Sequence, residues 1–333
     1  MARRARTVQI SRFGGPEVLE FSTCELAEPG PGEVLVNVEW IGINRAEVLW
    51  REGSYVMQPD PPVPIGMECS GRVEEIGAGV RGFSQGDQVG VVPTRFDPAK
   101  CGAYAEAVMV PATALLPTPS SLEGPEAAAV WMAYLTAWGG LLHVGGLAED
   151  WHVVIPAASS SVGIAAIQLC QLEGAIPIAV TTQERKAEQL KELGAEYVIV
   201  SSRDDVADKV RAITDEQGAE LFFDSVGGPL LAQELACAAP GAQIVVFGRF
   251  DRGAATLDAG AMIGKSLRLE GYHLMRTTMD PQVYDVAVGQ IVDGIEEGAL
   301  SPVVDRVFPF EEIQDAHRYA ESREQVGKIV VEV

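Results

Sequence analysis

Short apolar runs alternate with segments of helical periodicity through the middle of the chain. Each run has the length of a single buried strand, and small or charged residues separate it from the next helical segment. This alternation predicts a parallel, doubly wound α/β sheet with helices on both faces. The expected strands are Val153–Ile155, Ile176–Val180, Tyr197–Val200, Leu221–Phe223, Gln243–Phe247 and Leu267–Leu269.

The chain before residue 124 has a different pattern. Its apolar runs are short and broken by glycine and proline, which indicates a β domain. The expected strands are Val34–Val38, Gly71–Ile76, Gln88–Val92 and Glu106–Val110. After the α/β region the chain ends in one more apolar run, Lys328–Val333. We expect this last strand to pair back with the first domain.

The segment His152–Thr182 has the order strand, small-residue turn, helix, strand. Such a βαβ unit binds a dinucleotide, because unpaired N–H groups at the helix N-terminus favour the pyrophosphate. Only the third glycine of the usual G-x-G-x-x-G pattern is present, and an ordinary βα turn is the alternative interpretation. The candidate cofactor-binding residues are Ala158, Ser159, Ser160, Ser161, Val162 and Gly163.

The end of the second strand of this unit indicates which dinucleotide is bound. Thr181 and Thr182 stand where enzymes that use NAD usually have a carboxylate, and Arg185 and Lys186 follow. Hydroxyl groups and cations suit a 2′-phosphate, so we predict NADPH as the cofactor. In the alternative, Thr182 caps a helix and the two cations lie in solvent.

Composition limits the class of protein. The 333 residues favour two domains, and 47% of them are apolar. The net charge of −22 argues against binding to nucleic acid or to an anionic membrane. The basic start Met1–Arg6 lacks the apolar region of a secretory signal, so we expect it to fray in solvent. Five unclustered cysteines fit a reducing compartment, and we expect a cytoplasmic protein.

Several motifs occur in order along nearly the whole chain. They are FGGPEVLE (Phe13–Glu20), GINRAEVLWREGSY (Gly42–Tyr55), IGMECSGRVEEIGAGV (Ile65–Val80), GAYAEAVMVP (Gly102–Pro111), AYLTAW (Ala133–Trp138), FFDSVGG (Phe222–Gly228) and GKIVVEV (Gly327–Val333). Together they resemble the medium-chain dehydrogenase/reductase superfamily, in its zinc-free quinone oxidoreductase branch. The resemblance implies a GroES-like β domain at 1–123, to which 277–333 returns, and a Rossmann NADP-binding domain at 124–276.

The resemblance also bears on a catalytic metal. Zinc-dependent members have Cys where this chain has Asn44 and His where it has Met67. Both strong zinc ligands are therefore replaced, and we predict that no metal takes part. Glu47, Glu68 and Cys69 are then interpreted as packing and polar-network residues.

Without a metal, the acceptor has to be reactive toward hydride, as a quinone or an enone is. By the resemblance, Asn44, Tyr55 and Thr136 lie near the nicotinamide. Asn44 is assigned to substrate or ribose and Tyr55 to proton donation, with a tyrosine that caps a Gly-Ser loop as the alternative. Further cofactor contacts are assigned to Ser225, Val226, Phe247, Gly248 and Arg249, and an apolar substrate pocket to Trp50, Tyr55, Trp131 and Met132. Domain packing is the alternative for the aromatic residues, and a solvated loop position for Arg249.

The sequence-based hypothesis is a zinc-independent, NADPH-dependent reductase of quinones or carbonyl-conjugated alkenes. Two alternatives remain: an enoyl-thioester reductase of polyketide type, and a non-enzymatic NADPH-binding protein related to crystallins or trafficking proteins. The resemblance further implies a homodimer that is joined through the strand near Ser266–Tyr272.

Overall fold

The computed structural model describes residues 3–333. The strands are β1 (Arg3–Ile10), β2 (Leu19–Leu26), β3 (Glu33–Ile43), β4 (Val63–Pro64), β5 (Cys69–Ile76), β6 (Gln88–Val91), β7 (Ala107–Pro111), β8 (Leu115–Pro117), β9 (His152–Pro156), β10 (Ile176–Thr181), β11 (Tyr197–Val200), β12 (Ala219–Asp224), β13 (Ala238–Val246), β14 (Arg268–Gly271), β15 (Val304–Pro309) and β16 (Lys328–Glu332). The helices are α1 (Arg45–Arg51), α2 (Trp131–Trp138), α3 (Ser161–Leu172), α4 (Ala187–Glu192), α5 (Val206–Ile213), α6 (Leu230–Cys237), α7 (Ala259–Lys265), α8 (Met275–Thr278), α9 (Pro281–Glu296) and α10 (Ile313–Ser322).

The chain forms two compact units. One consists of Met1–Met132 and Pro302–Val333, and the other of Ala133–Ser301. These bounds differ from the expected ones chiefly at 277–301, which belongs to the second unit. The reason is α9, whose apolar face is buried and whose Gln290 accepts a hydrogen bond from the Trp138 indole at 2.6 Å.

The second unit contains a six-stranded sheet in the order β11-β10-β9-β12-β13-β14. All neighbouring strands are parallel, and the order reverses between β9 and β12, as in a Rossmann fold. Val154, Ile178, Phe222 and Ile244 are buried on adjacent strands, which explains why these strands are apolar without alternation. The predicted doubly wound sheet is therefore confirmed.

The first unit contains two sheets whose strand pairs are antiparallel, except that β15 and β16 are parallel. One sheet has the order β2-β1-β4, and the other has the order β15-β16-β3-β5-β6-β8 with β7 also paired to β3. The final strand β16 lies beside β3, where Ile329 is opposite Ile43, so the predicted return of the C-terminal strand is confirmed. This arrangement matches the expected GroES-like β domain.

The N-terminal segment corrects one expectation. Residues 1 and 2 lie outside the described residues, but Arg3–Arg6 belong to β1 and do not fray. Arg3 pairs with Leu26 in the β1–β2 hairpin, and the Arg6 guanidinium contacts Glu106 and Glu311. Backbone pairing and ion pairs fix a segment whose composition alone suggested a solvated tail.

Candidate active site

The carboxyl ends of β9 and β12 meet at the point where the strand order of the second unit reverses. Ligands of open α/β sheets bind at such a switch point. Ser225 follows β12, and its hydroxyl donates to the Pro156 carbonyl at the end of β9 (3.4 Å). The topology thus brings together two loops that the sequence assigned separately to the cofactor.

The turn between β9 and α3 is tight and leads directly into a capped helix start. Ala157 has a left-handed backbone (φ 50°), and Ser160 caps α3 by accepting from the Gly163 N–H at 3.0 Å. A Cβ on Gly163 would lie 2.5 Å from the Ala158 carbonyl oxygen, so this position requires glycine. The retained third glycine therefore allows close packing of the turn on the helix, while Ser160 and Ala158 fit where glycines are usual.

A lysine is directed at this turn from the end of β10. The Lys186 side chain is only 3% exposed, and its ammonium donates to the Ser159 hydroxyl at 2.9 Å. Arg185 is exposed on the same turn. The solvated alternative is wrong for Lys186, and Thr182 is not a helix cap, since the short 3₁₀ turn Glu184–Lys186 begins after Gln183.

The ends of β12 and β13 form the other side of the switch point. The Asp224 carboxylate, which the sequence reasoning did not single out, accepts from the backbone N–H groups of Val226 (2.6 Å) and Gly227 (2.9 Å). Burial raises the pKa of Asp224, and these N–H groups oppose the shift. Its role is to fix the loop that contains Ser225 and Val226.

The residues assigned after β13 lie beside this loop. Gly248 permits close approach, because a Cβ there would lie 2.4 Å from the Ser225 carbonyl oxygen. The Phe247 ring stacks on Phe223 with 4.0 Å between ring centroids. Arg249 is exposed. The assigned residues of the loops after β12 and β13 therefore lie together at the carboxyl end of the sheet.

A buried polar cluster surrounds Asn44 in the first unit. The Lys328 ammonium contacts Glu68 Oε2 at 2.5 Å and Asn44 Oδ1 at 2.6 Å. The Asn44 amide nitrogen donates to Glu68 Oε2 (3.2 Å), Glu47 Oε1 (3.3 Å) and the Gly42 carbonyl (3.2 Å). Both ends of the Asn44 amide are therefore engaged within the protein.

The two carboxylates of this cluster connect several segments. Glu47 accepts from the backbone N–H groups of Asn44 (2.9 Å) and Met67 (3.0 Å), and Glu68 accepts from that of Met132 (2.8 Å). Burial raises the pKa of Glu47 to about 7, and the Lys328 charge opposes the rise. Glu47 and Glu68 are polar-network residues, as expected. Lys328 was missed, although a lysine at the start of an otherwise apolar strand was a signal.

Tyr55 follows α1 and is half-buried near this cluster. Burial, with a further contribution from the Glu47 carboxylate, raises the pKa of Tyr55 to about 12. The phenol therefore keeps its proton at neutral pH. Its ring lies 6.2 Å from that of Trp50, tilted by 52°.

The other residues assigned to substrate or nicotinamide are mostly buried. Trp50 is 3% exposed, Trp131 1%, Met132 9% and Thr136 8%. The Trp131 indole packs against Gly90, where a Cβ would lie 2.3 Å from Nε1. Packing within the first unit thus accounts for the burial of much of the Trp131 ring.

Two searches of residues 3–333 complete the description of the molecule. Within this range, no three His, Cys, Asp or Glu side chains are grouped so that they could hold a metal ion. Nor does any helix of this range have the length and apolar composition needed to cross a bilayer.

Comparison with known proteins places these features in a family. The alcohol dehydrogenase GroES-like domain matches residues 30–120, and a zinc-binding dehydrogenase model matches residues 193–331. The quinone oxidoreductase-like protein 2 homolog of Nematostella vectensis is 31% identical over 98% of this chain and 88% of its own length.

Solved structures extend the comparison. The quinone oxidoreductase of Escherichia coli complexed with NADPH has a TM-score of 0.90 at 26% identity, over 98% of this chain and all of that one. The apo JamJ enoyl reductase has a TM-score of 0.87 at 25% identity, over 99% of each chain. These similarities support oxidoreductase chemistry with a nicotinamide cofactor. With its GroES-like and Rossmann units, the chain belongs to the medium-chain dehydrogenase/reductase superfamily, in the quinone oxidoreductase branch.

Proposed function

We propose that this protein is a zinc-independent, NADPH-dependent reductase of quinones or carbonyl-conjugated alkenes. The observation that carries the proposal is the cluster of Asn44, Glu68 and Lys328. These side chains are buried and paired with one another, and the cation that neutralises the carboxylate is an ammonium group of the chain. Asn44 and Met67 also lack the donor chemistry of zinc ligands.

The fit of NADPH rests on the turn between β9 and α3. The close packing at Gly163 and the Ser160 cap leave a small-residue turn at the start of a 12-residue helix, where N–H groups favour a pyrophosphate. Lys186 brings a cation to Ser159 in a protein whose net charge is −22. We assign Lys186 and the exposed Arg185, with Thr181 and Thr182, to the 2′-phosphate.

The remaining contacts follow the loops of the switch point. We assign the pyrophosphate to Ser159–Gly163 and the nicotinamide half to Thr136, Ser225, Val226, Phe247 and Gly248, with Arg249 toward phosphate or ribose. Asn44 Oδ1 accepts from Lys328, the amide hydrogens are engaged, and a capping box joins Asn44 to Glu47. Because the amide has no hydrogen left to donate to a quinone oxygen, we assign Asn44 to the ribose side of the site.

The chemistry assigned to the chain is orientation and proton transfer. A bound nicotinamide supplies the hydride. Hydride addition to an enone leaves an enolate, and we assign its protonation to the Tyr55 phenol, which stays protonated at neutral pH. A hydroquinone anion takes a proton readily from water, so a quinone depends less on Tyr55.

An acceptor screen with purified protein and NADPH tests the function. Tyr55→Phe should lower kcat on an enone by ~10²-fold while a quinone is affected less, because general acid catalysis contributes at least this factor. Tyr197→Phe, at an exposed position of β11, is the matched control and should change neither rate. Full enone activity in Tyr55→Phe would mean that water, and not Tyr55, protonates the enolate.

The same screen decides between the alternatives. The likeness to the JamJ enoyl reductase makes enoyl thioesters the second candidate class of acceptor. Turnover of thioesters, but of neither quinones nor simple enones, would favour an enoyl-thioester reductase. Failure to oxidise NADPH with any of these classes would favour a non-enzymatic, NADPH-binding protein.

We further propose a homodimer joined through β14. This strand is at the edge of the six-stranded sheet, and the neighbouring α7 has no buried residue. Ile263 on α7 is 80% exposed and Leu257 is 48% exposed, and exposed apolar side chains beside an unpaired sheet edge favour association. Sedimentation at micromolar concentration should give a dimer that Ile263→Asp weakens; a wild-type monomer would contradict the proposal.

A further inference from the structure

The Gln168 side chain, on α3, joins three segments of the second unit. This side chain is 7% exposed. Its Oε1 accepts from the Tyr134 phenol (2.7 Å) and from the Ser301 N–H (3.0 Å), while its Nε2 donates to the Ser301 carbonyl (2.9 Å). Burial raises the pKa of the Tyr134 phenol, so this group keeps its proton and stays a donor. One buried amide thus ties α3 to α2 and to the loop after α9.

The two helices joined by this contact carry the two ends of the proposed cofactor site. The start of α3 at Ser161 is assigned to the pyrophosphate, and Gln168 lies two turns further along the same helix, about 10 Å away. Thr136, which is assigned to the nicotinamide, comes two residues after Tyr134 on α2. Residues two apart on a helix do not face the same side, so Tyr134 can bind α3 while Thr136 is directed elsewhere.

A second contact holds α2 at the residue between Tyr134 and Thr136. The Tyr272 phenol donates to the Leu135 carbonyl at 3.3 Å. Gly139 allows this approach, since a Cβ there would lie 2.2 Å from the Tyr272 hydroxyl oxygen. The position of α2 is therefore fixed through its backbone by Tyr272 and through a side chain by the contact between Tyr134 and Gln168.

We propose that Gln168 is a positioning residue for hydride transfer: it holds Thr136, and with it the nicotinamide half of the site, at a fixed place relative to the turn between β9 and α3. This inference rests on the proposed function. The rate depends on this geometry, because a displacement of about 1 Å between reacting groups can cost about 10²-fold. The affinity for NADPH depends less on it, since we assign the charged phosphate groups to Lys186 and the start of α3.

Gln168→Met separates positioning from cofactor affinity. It removes all three hydrogen bonds and keeps an unbranched side chain of similar length. We expect kcat, with the acceptor that the wild-type protein reduces fastest, to fall by about 10²-fold, while the Kd of NADPH in fluorescence titrations changes by less than about threefold. Full kcat in Gln168→Met would overturn the proposal.

Gln290→Met is the matched control. Gln290 on α9 also accepts from an aromatic donor of α2, the Trp138 indole, but α9 carries no residue assigned to the cofactor. Both variants lose a formed hydrogen bond, so both should lower Tm, and only Gln168→Met should lower kcat. Equal losses of kcat would mean that any support of α2 serves as well, and would overturn the specific role of Gln168.

Gln168→Glu adds a test that depends on pH. A protonated glutamic acid can accept through one oxygen and donate to the Ser301 carbonyl through the other, as the amide does, whereas a carboxylate has no hydrogen to donate. Burial raises the pKa of such an acid, and the Tyr134 phenol that faces it stays protonated. The kcat of Gln168→Glu, as a fraction of the wild-type kcat at the same pH, should therefore be larger at pH 5 than at pH 8. A loss as large at pH 5 as at pH 8 would contradict the positioning role.

Hydrogen exchange tests the role without turnover. In the wild-type protein, NADPH should slow amide exchange in peptides that cover Ser159–Gly163 and in peptides that cover Ala133–Trp138. In Gln168→Met the first protection should remain and most of the second should be lost, while Gln290→Met should keep both. Undiminished protection of Ala133–Trp138 in Gln168→Met would overturn the positioning role alone. This pattern of protection without oxidation of NADPH by any acceptor would refute the reductase and still support Gln168 as the residue that positions the nicotinamide half.

Discussion

Replacement of Lys328 by methionine should be strongly destabilising. Lys328 and Glu68 are each 1% exposed, and the ammonium contacts both Glu68 and Asn44. Methionine keeps most of the stem, which packs close to Gly42, but it leaves the Glu68 carboxylate without its cation. Removing one partner of a buried pair costs about 3–5 kcal/mol in the free energy of unfolding.

The pH dependence of this loss has a definite sign. The raised pKa of Glu47, about 7 against 4.5 for the free group, means that the folded state holds the proton more tightly. The resulting contribution of Glu47 to the free energy of unfolding is fully present below pH 4.5 and is lost as the pH rises through 7. The Lys328 charge opposes the rise in the pKa of Glu47, so removal of this charge should raise that pKa further. The loss of stability should then continue to higher pH. The cost of Lys328→Met should therefore be larger at pH 8 than at pH 5.

Urea denaturation at both pH values measures the effect. Lys100→Met is the matched control, since the Lys100–Asp97 pair is 3.7 Å long with side chains 84% and 51% exposed, and surface pairs contribute about 0–1 kcal/mol. The double variant Lys328→Met/Glu68→Gln should recover part of the loss, because no buried charge remains unpaired at residue 68. A cost for Lys328→Met no greater than that of Lys100→Met would refute the reasoning.

Two further predictions concern the second unit. Glu234 is fully buried, and neither of its carboxyl oxygens has a hydrogen-bond partner among residues 3–333. Burial, with the nearby Asp224 charge, raises the pKa of Glu234. Glu234→Leu should therefore stabilise the protein by about 1–3 kcal/mol, with a larger gain at pH 8 than at pH 5 in denaturation curves; a loss at both would contradict this. Lys186→Met should weaken NADPH binding by about 10- to 100-fold in fluorescence titrations and leave NADH binding unchanged. Lys191→Met, at an exposed position of α4, is its control, and equal losses for both cofactors would remove Lys186 from the 2′-phosphate site.

The sequence by itself determined the order and type of most elements. Apolar runs such as Val153–Ile155 and Gln243–Phe247 mark buried parallel strands, because a strand covered on both faces needs no polar alternation. Gly163 and the serines before it marked the turn at a helix start, which depends on residues close together in the chain. The fold class, the family and the turn at the start of α3 can therefore be predicted from local patterns.

Tertiary structure decided which of the charged and polar residues work together. Lys186 resembles the neighbouring Arg185 in sequence, but only the fold buries it against Ser159. The pairing of Lys328 with Glu68 joins residues 260 positions apart through the return of β16 to β3. Pairings of this kind depend on which strands become neighbours and on how deeply a charge is buried. Neither property can be derived from the local sequence pattern, because both arise from the packing of segments that are distant in the chain.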